Sequence, residues 1–110
     1  KAARLGKVNI ITKKAQVDTA TNLAQGGVAA VLGGTDNFED HVRDTLISGA
    51  GLCDEDVVRM VVMAGPARIA ELIDVGVNFV TNDDGSLSLG KEGGHSARRV
   101  AHAFDLTGKE

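Results

Sequence analysis

Thr19-Ala-Thr-Asn-Leu-Ala-Gln-Gly-Gly-Val-Ala-Ala-Val31 sets a run of hydroxyl and amide side chains against two adjacent glycines, then turns apolar through Leu32. Glycines at positions 26 and 27 carry no Cβ, so the main-chain N–H groups of Ala24-Gln-Gly-Gly27 can approach a flat or anionic ligand closely. The same pair would serve as a simple glycine turn before a buried strand or helix, and these residues alone do not choose between the two. Composition sharpens the question. Glycine fills 14 of the 110 positions and proline only 1, against a usual glycine share of ~7 %. Glycines in such excess over proline mark tight backbone positions or ligand contacts rather than a disordered linker.

Working outward, Lys1–Gly6 reads as the last turn of a helix with a glycine stop, and Val8-Asn-Ile-Ile-Thr12 as a short β-branched strand. Helix end, glycine and buried strand together suggest the middle of a βαβ unit. Residues 13–34 are loop-like. Thr35-Asp-Asn-Phe-Glu39 opens a helix, with Asp36 as cap and Glu39 completing a capping box. Phe38, Val42, Leu46 and Ile47 give that helix one apolar face, ending at Gly49 and Gly51. Asp54-Glu-Asp56 opens a second helix, buried through Val57, Val58, Met60, Val61 and Val62. Gly65-Pro66 breaks it and starts a third, which buries Ile69, Leu72 and Ile73 and stops at Gly76. Val77–Val80 and Ser86–Leu89 flank Asn82-Asp-Asp-Gly85, a hairpin signal. Ser96–Phe104 reads as a final helix with Val100 and Phe104 inward. There is no internal repeat and no linker, so the expected class is α/β in one domain.

Charge and composition exclude several functions. Twelve Lys and Arg against 15 Asp and Glu leave a net charge of −3, with no basic stripe for nucleic acid or acidic lipid. The one cysteine, Cys53, excludes an internal disulfide and suits a reducing, cytoplasmic setting. No apolar run approaches the ~18 residues of a membrane span. Tryptophan and tyrosine are absent and phenylalanine occurs 3 times, so the core must be aliphatic. Lys91-Glu-Gly-Gly-His-Ser96, followed by Arg98-Arg99, gathers a carboxylate, an imidazole and a hydroxyl around flexible backbone. It is a candidate binding segment, or a solvated loop before a basic helix start. His41 is expected on the surface, and His95 and His102 on one face of the last helix. No thiol or carboxylate cluster accompanies them, so no metal site is expected. Asp54 and Asp56 beside Cys53 argue against a reactive thiol.

The Thr19–Val31 stretch resembles the second flavin-contacting segment of the succinate dehydrogenase/fumarate reductase flavoproteins. Asp44-Thr-Leu-Ile-Ser-Gly-Ala-Gly-Leu-Cys53, Glu71–Phe79, Lys91–Ser96 and His102–Glu110 are similar to the L-aspartate oxidase branch of that superfamily, in the same order along the chain. The resemblance implies part of a single Rossmann-like FAD-binding domain: second strand, flavin-contacting loop, helices and a small hairpin. The first strand and Gly-x-Gly-x-x-Gly turn would lie upstream of Lys1, and the catalytic Arg and other substrate residues downstream of Glu110. It further implies oxidation of L-aspartate to iminoaspartate, flavin reoxidation by oxygen or fumarate, and coupling to quinolinate synthase in NAD biosynthesis. Lys13, Thr21, Asn22, Leu23, Ala24, Gln25, Gly26 and Gly27 would contact FAD. Glu92 would orient substrate through its amino group, with His95 and Ser96 beside it.

Two other readings stand beside this one. A soluble fumarate reductase shares the superfamily, but Glu92 would repel an unsubstituted dicarboxylate. A non-catalytic module binding through its glycine loops would hold no flavin. One departure from the superfamily is informative: relatives usually carry Ser at position 20, and succinate dehydrogenases carry there the His that bonds covalently to flavin. Ala20 has no atom to form that bond. FAD is therefore expected to leave the intact flavoprotein on acid precipitation, and yellow colour retained in the denatured pellet would show the opposite.

Overall fold

The structure, a computed structural model, describes residues 2–104 and Thr107. Its regular elements are α1 (Ala20–Leu23), β1 (Gly27–Ala29), α2 (Phe38–Ser48), α3 (Glu55–Asp74), β2 (Leu89–Gly90) and β3 (Val100–His102), with single 3-10 turns at Ala2–Arg4 and Gln16–Asp18. The three strands form one antiparallel sheet in the order β1-β3-β2. Gly27 lies opposite His102 and Ala29 opposite Val100, while Gly90 also lies opposite Val100. The last strand in the chain is thus the central one. Ala30, Ile69, Phe79 and Ala101 form the core, with Leu32, Leu72, Val77, Leu87 and Leu89 packed around them.

Local chemistry explains the helices. Asn37 caps α2, accepting from Asp40 N at 2.8 Å while its own amide donates to Asp40 Oδ2 at 2.7 Å. The expected Asp36 cap and Glu39 capping box do not form, because Arg99 engages Asp36 and Arg59 of α3 binds Glu39. Asp54 caps α3 by accepting from Val57 N. At its far end Gly76, at φ 105°, donates to Ile73 O and Val77 N donates to Leu72 O, the paired bonds of a Schellman stop. The hairpin also forms as expected: Asn82 N donates to Ser86 O and Gly85 N to Asn82 O.

Four expectations are corrected. Gly65-Pro66 does not break the helix, and α3 runs through both residues. Proline removes one helical hydrogen bond, but Val62, Gly65, Ile69 and Leu72 share one face at helical spacing, and a break there would split the face that buries Val62 and Ile69. Gly65 lets that face close on β1's exit, since a Cβ there would sit 3.2 Å from Ala30 Cβ. Only Val62 of the expected burying set is buried, whereas Val57, Met60 and Val61 are exposed, as are Phe38 and Ile47 of α2. Residues 8–12 form no strand, and Ile10 and Ile11 are 85 % and 94 % exposed. A strand exists through its partners, and among the described residues none lies alongside.

The last correction is the largest. Residues 96–104 hold β3 rather than a helix, and Phe104 is 76 % exposed at φ 49°. Helical backbone would satisfy only itself here. As a strand the segment closes hydrogen bonds to both neighbours and sinks Val100 and Ala101 into the core. Its partner strand is matched to it. A Cβ on Gly27 would lie 2.5 Å from Ala101 O and 2.5 Å from Val100 Cγ1, so no larger residue fits without parting β1 from β3. Gly27→Ala is expected to destabilise the intact protein by about 1–3 kcal/mol, read as a lowered urea midpoint with an unchanged slope.

Candidate functional site

The Glu92–Ser96 segment is held from beneath by a buried charge network. Arg99 is 0 % exposed. Its Nε and Nη2 donate to the two oxygens of Asp36 at 2.9 and 2.7 Å, and its Nη1 donates to Asp44 Oδ2 at 2.7 Å. The same Asp44 oxygen accepts from Ser96 N and from Ser96 Oγ, both at 2.7 Å. Burial pushes the Asp44 carboxyl up, but the Ser96 and Arg99 donors overcome it and hold the group down from 3.8 to about 2. Arg99 also starts the sheet bonding one residue before β3, since its carbonyl accepts from Ala30 N and its N–H donates to Gly90 O.

His41 is buried at 6 % exposure, not on the surface as expected, and meets His95 edge-on with ring centroids 5.6 Å apart. Among the described residues neither Nδ1 has a partner. Burial lowers the His41 pKa first, the Arg99 and His95 charges add to this, and Asp36 and Asp44 oppose it. His41 is therefore neutral at pH 7. His102 lies on β3 and shares no helical face with His95. The hollow beside His41, about 240 Å³, is lined by Ala29, Thr45 and valines of α3, and offers no charged group to a dicarboxylate.

Glu92 stands at the outer edge of the segment. His95 N donates to the Glu92 carbonyl at 3.2 Å, closing a turn in which Gly94 takes φ 83°. The Glu92 side chain is exposed, and no hydrogen bond or ion pair among the described residues holds its carboxylate. Ser96, by contrast, has its hydroxyl committed to Asp44.

The second segment folds by its own caps. Thr19 caps α1, and Asn22 is tied down through its amide to Val17 O at 3.0 Å. Gly26 then takes φ 83°, and its carbonyl accepts from Thr107 Oγ1 at 2.6 Å. No hydrogen bond among the described residues uses the N–H of Gln25 or Gly26, and a Cβ on Gly26 would meet open space. Free amides beside open space suit a flat or anionic group. Gly27 is needed by the sheet, so the two glycines have different causes. Lys13 is exposed, and no hydrogen bond or ion pair among the described residues ties it to this loop. Residues 24–27 enter the sheet opposite His102, while 92–96 lead into its other end before Val100. The two segments lead into the same sheet, and no hydrogen bond among the described residues joins them.

The family model described as an FAD binding domain matches residues 1–110. This chain belongs to that family. Its cofactor is FAD, and the free amides at Gln25 and Gly26 fit such a group. The FAD-binding chain is 52 % identical over 108 residues to the chloroplastic L-aspartate oxidase of Arabidopsis thaliana, covering 98 % of this chain and 17 % of that protein. It is 50 % identical over 102 residues to the L-aspartate oxidase of Streptomyces coelicolor, covering 92 % of this chain and 18 % of that one. A solved quinol-fumarate reductase with menaquinol molecules superposes at a TM-score of 0.82 with 35 % identity, over 89 % of this chain and 17 % of that chain. The α/β, partial Rossmann-like class expected of the sequence agrees with that neighbour. The chain spans about a sixth of the length of the curated relatives it matches and contains no helix, among its described residues, long and apolar enough to cross a membrane.

Sequence reasoning missed Arg99, Asp36, Asp44 and His41 as a set. The signal was weak: Arg99 looked like one of a basic pair, and Asp36 like a cap. Arg99→Leu would leave two buried carboxylates uncompensated, at a cost of about 3–5 kcal/mol at pH 7. The native Asp44 carboxyl is depressed, so its stabilising share is complete above the ordinary carboxylate range and is lost as pH falls towards 2. In the variant Asp44 loses the Arg99 donor and charge that help hold its carboxyl down, so it titrates higher than in the native protein. The stability gap between variant and native protein is therefore expected to narrow between pH 7 and pH 4, as measured by urea unfolding.

Proposed function

We propose that this chain is the substrate-orienting and flavin-contacting part of an FAD-dependent L-aspartate oxidase, which converts L-aspartate to iminoaspartate. The observation that carries the reading is the Glu92 carboxylate, exposed and unpaired on a turn whose other end is fixed by Asp44. Aspartate differs from succinate by one ammonium group at Cα. A site preferring aspartate needs an acceptor there, and an unpaired carboxylate is one. The names of the Arabidopsis and Streptomyces relatives support the same substrate.

When bound, FAD supplies the ring that accepts a hydride from the substrate Cα. The residues of this chain bind and orient. Thr21 to Gly27 and Lys13 would hold the cofactor, with the Gln25 and Gly26 amides as donors. Ala20 leaves the flavin non-covalently held. Glu92 accepts from the substrate ammonium, His95 borders it, and Ser96 anchors the turn. Oxygen or fumarate would reoxidise the flavin, and the iminoaspartate would pass to quinolinate synthase for NAD biosynthesis in a reducing compartment, the cytoplasm or a plastid. The likeness to quinol-fumarate reductase favours fumarate reduction as the second reading.

One substitution separates them. A charge-assisted hydrogen bond contributes on the order of 1.5–3 kcal/mol, so Glu92→Gln in the intact enzyme should lower kcat/KM for L-aspartate by roughly tenfold to a hundredfold. The Ki for succinate should stay level or improve, because the repulsion is gone. Parallel losses for both ligands would mean that Glu92 only pins its loop.

A further inference from the structure

We propose that Asp44 is a positioning residue for the substrate ammonium, acting from the buried face of α2 through the turn that carries Glu92; this rests on Glu92 being the ammonium's acceptor. Three residues of α2 meet the turn, at helical spacing along one face. His41 packs edge-on against the His95 ring, and Asp44 Oδ2 accepts both donors of Ser96. Ser48 presses on Gly94, where a Cβ would lie 2.7 Å from Ser48 Oγ. The helix is thus a template for residues 94–96, and Glu92 projects from the edge of what the template holds.

Of the three contacts, Asp44 makes the directional one. Charge balance separates this job from holding the fold. Asp36 takes two bonds from Arg99 and neutralises it alone. A second buried carboxylate adds a desolvation cost that the ion pair does not require. Besides Arg99 Nη1, its Oδ2 accepts from Ser96 N–H and O–H, donors that Asp36 does not serve. Losing Asp44 therefore leaves Arg99 its two bonds to Asp36, removes the partner of Nη1, and releases the turn.

The test uses the FAD-loaded, full-length enzyme and a double-mutant cycle with Glu92→Gln. Asp44→Ala should raise KM for L-aspartate about tenfold, with kcat within about threefold and flavin content unchanged. Asp44→Asn, whose amide oxygen can take the same donors, should recover most of that loss. In the Glu92→Gln background Asp44→Ala should add less than about twofold, because the two residues act in series. Should Asp44→Ala fail to accumulate, Ser96→Ala carries the same test, with KM raised about three- to fivefold. A normal KM in the accumulating variant, or effects that multiply fully in the double mutant, would overturn the inference while Glu92 keeps its role. A Glu92→Gln enzyme that uses aspartate normally would instead overturn the reading of Glu92 beneath it.

Discussion

One guanidinium, wholly withdrawn from water, sets the terms for the rest of this structure. A buried cation is tolerated only with close anionic partners, and Arg99 finds two, one just before α2 and one within it. Meeting that demand brings three separated stretches to one point: the loop leaving β1, the middle of α2, and the approach to β3. The Arg99 backbone serves the sheet at the same time, bonding Ala30 on one side and Gly90 on the other. The apolar core of Ala30, Ile69, Phe79 and Ala101 is small and lies beside this ionic joint. It would not by itself fix how α2 lies against the sheet.

The parts of the fold legible in the sequence are those decided by neighbours a few residues apart. The Asp54 cap, the Gly76 stop and the Asn82–Gly85 turn each depend on a local bond, and the sequence carries each signal where the bond forms. The parts that were not legible depend on distant residues. Val100-Ala-His102 has no alternation to mark it, and becomes a strand because β1 and β2 flank it. Residues 8–12 have strong strand composition and no partner among the described residues. Pro66 looked like a boundary, yet the face shared by Val62 and Ile69 outweighs the one bond it deletes.

The candidate site divides in the same way. Ala24–Gly27 and Glu92–Ser96 stood out because glycines and functional side chains cluster in sequence. The layer that holds the second of them did not, since His41, Asp44 and Ser48 are spread over two turns of helix with five other residues between them. Of the two adjacent glycines, Gly26 is set by its backbone angle, but only the approach of Ala101 explains Gly27.

The sheet's strand order also governs how the segment can be made. β1 emerges early and its partner β3 emerges late, so the Gly27–His102 pairing must close most of the length described here before any β1–β3 ladder bond forms. Both long helices are synthesised in that interval. They have no sheet to cover, and α3 already shows Val57, Met60, Val61 and Met63 on its outer surface. High contact order of this kind slows folding and leaves apolar surface bare on the ribosome. A nascent chain with this topology would depend on holding chaperones until residue 102 clears the exit tunnel.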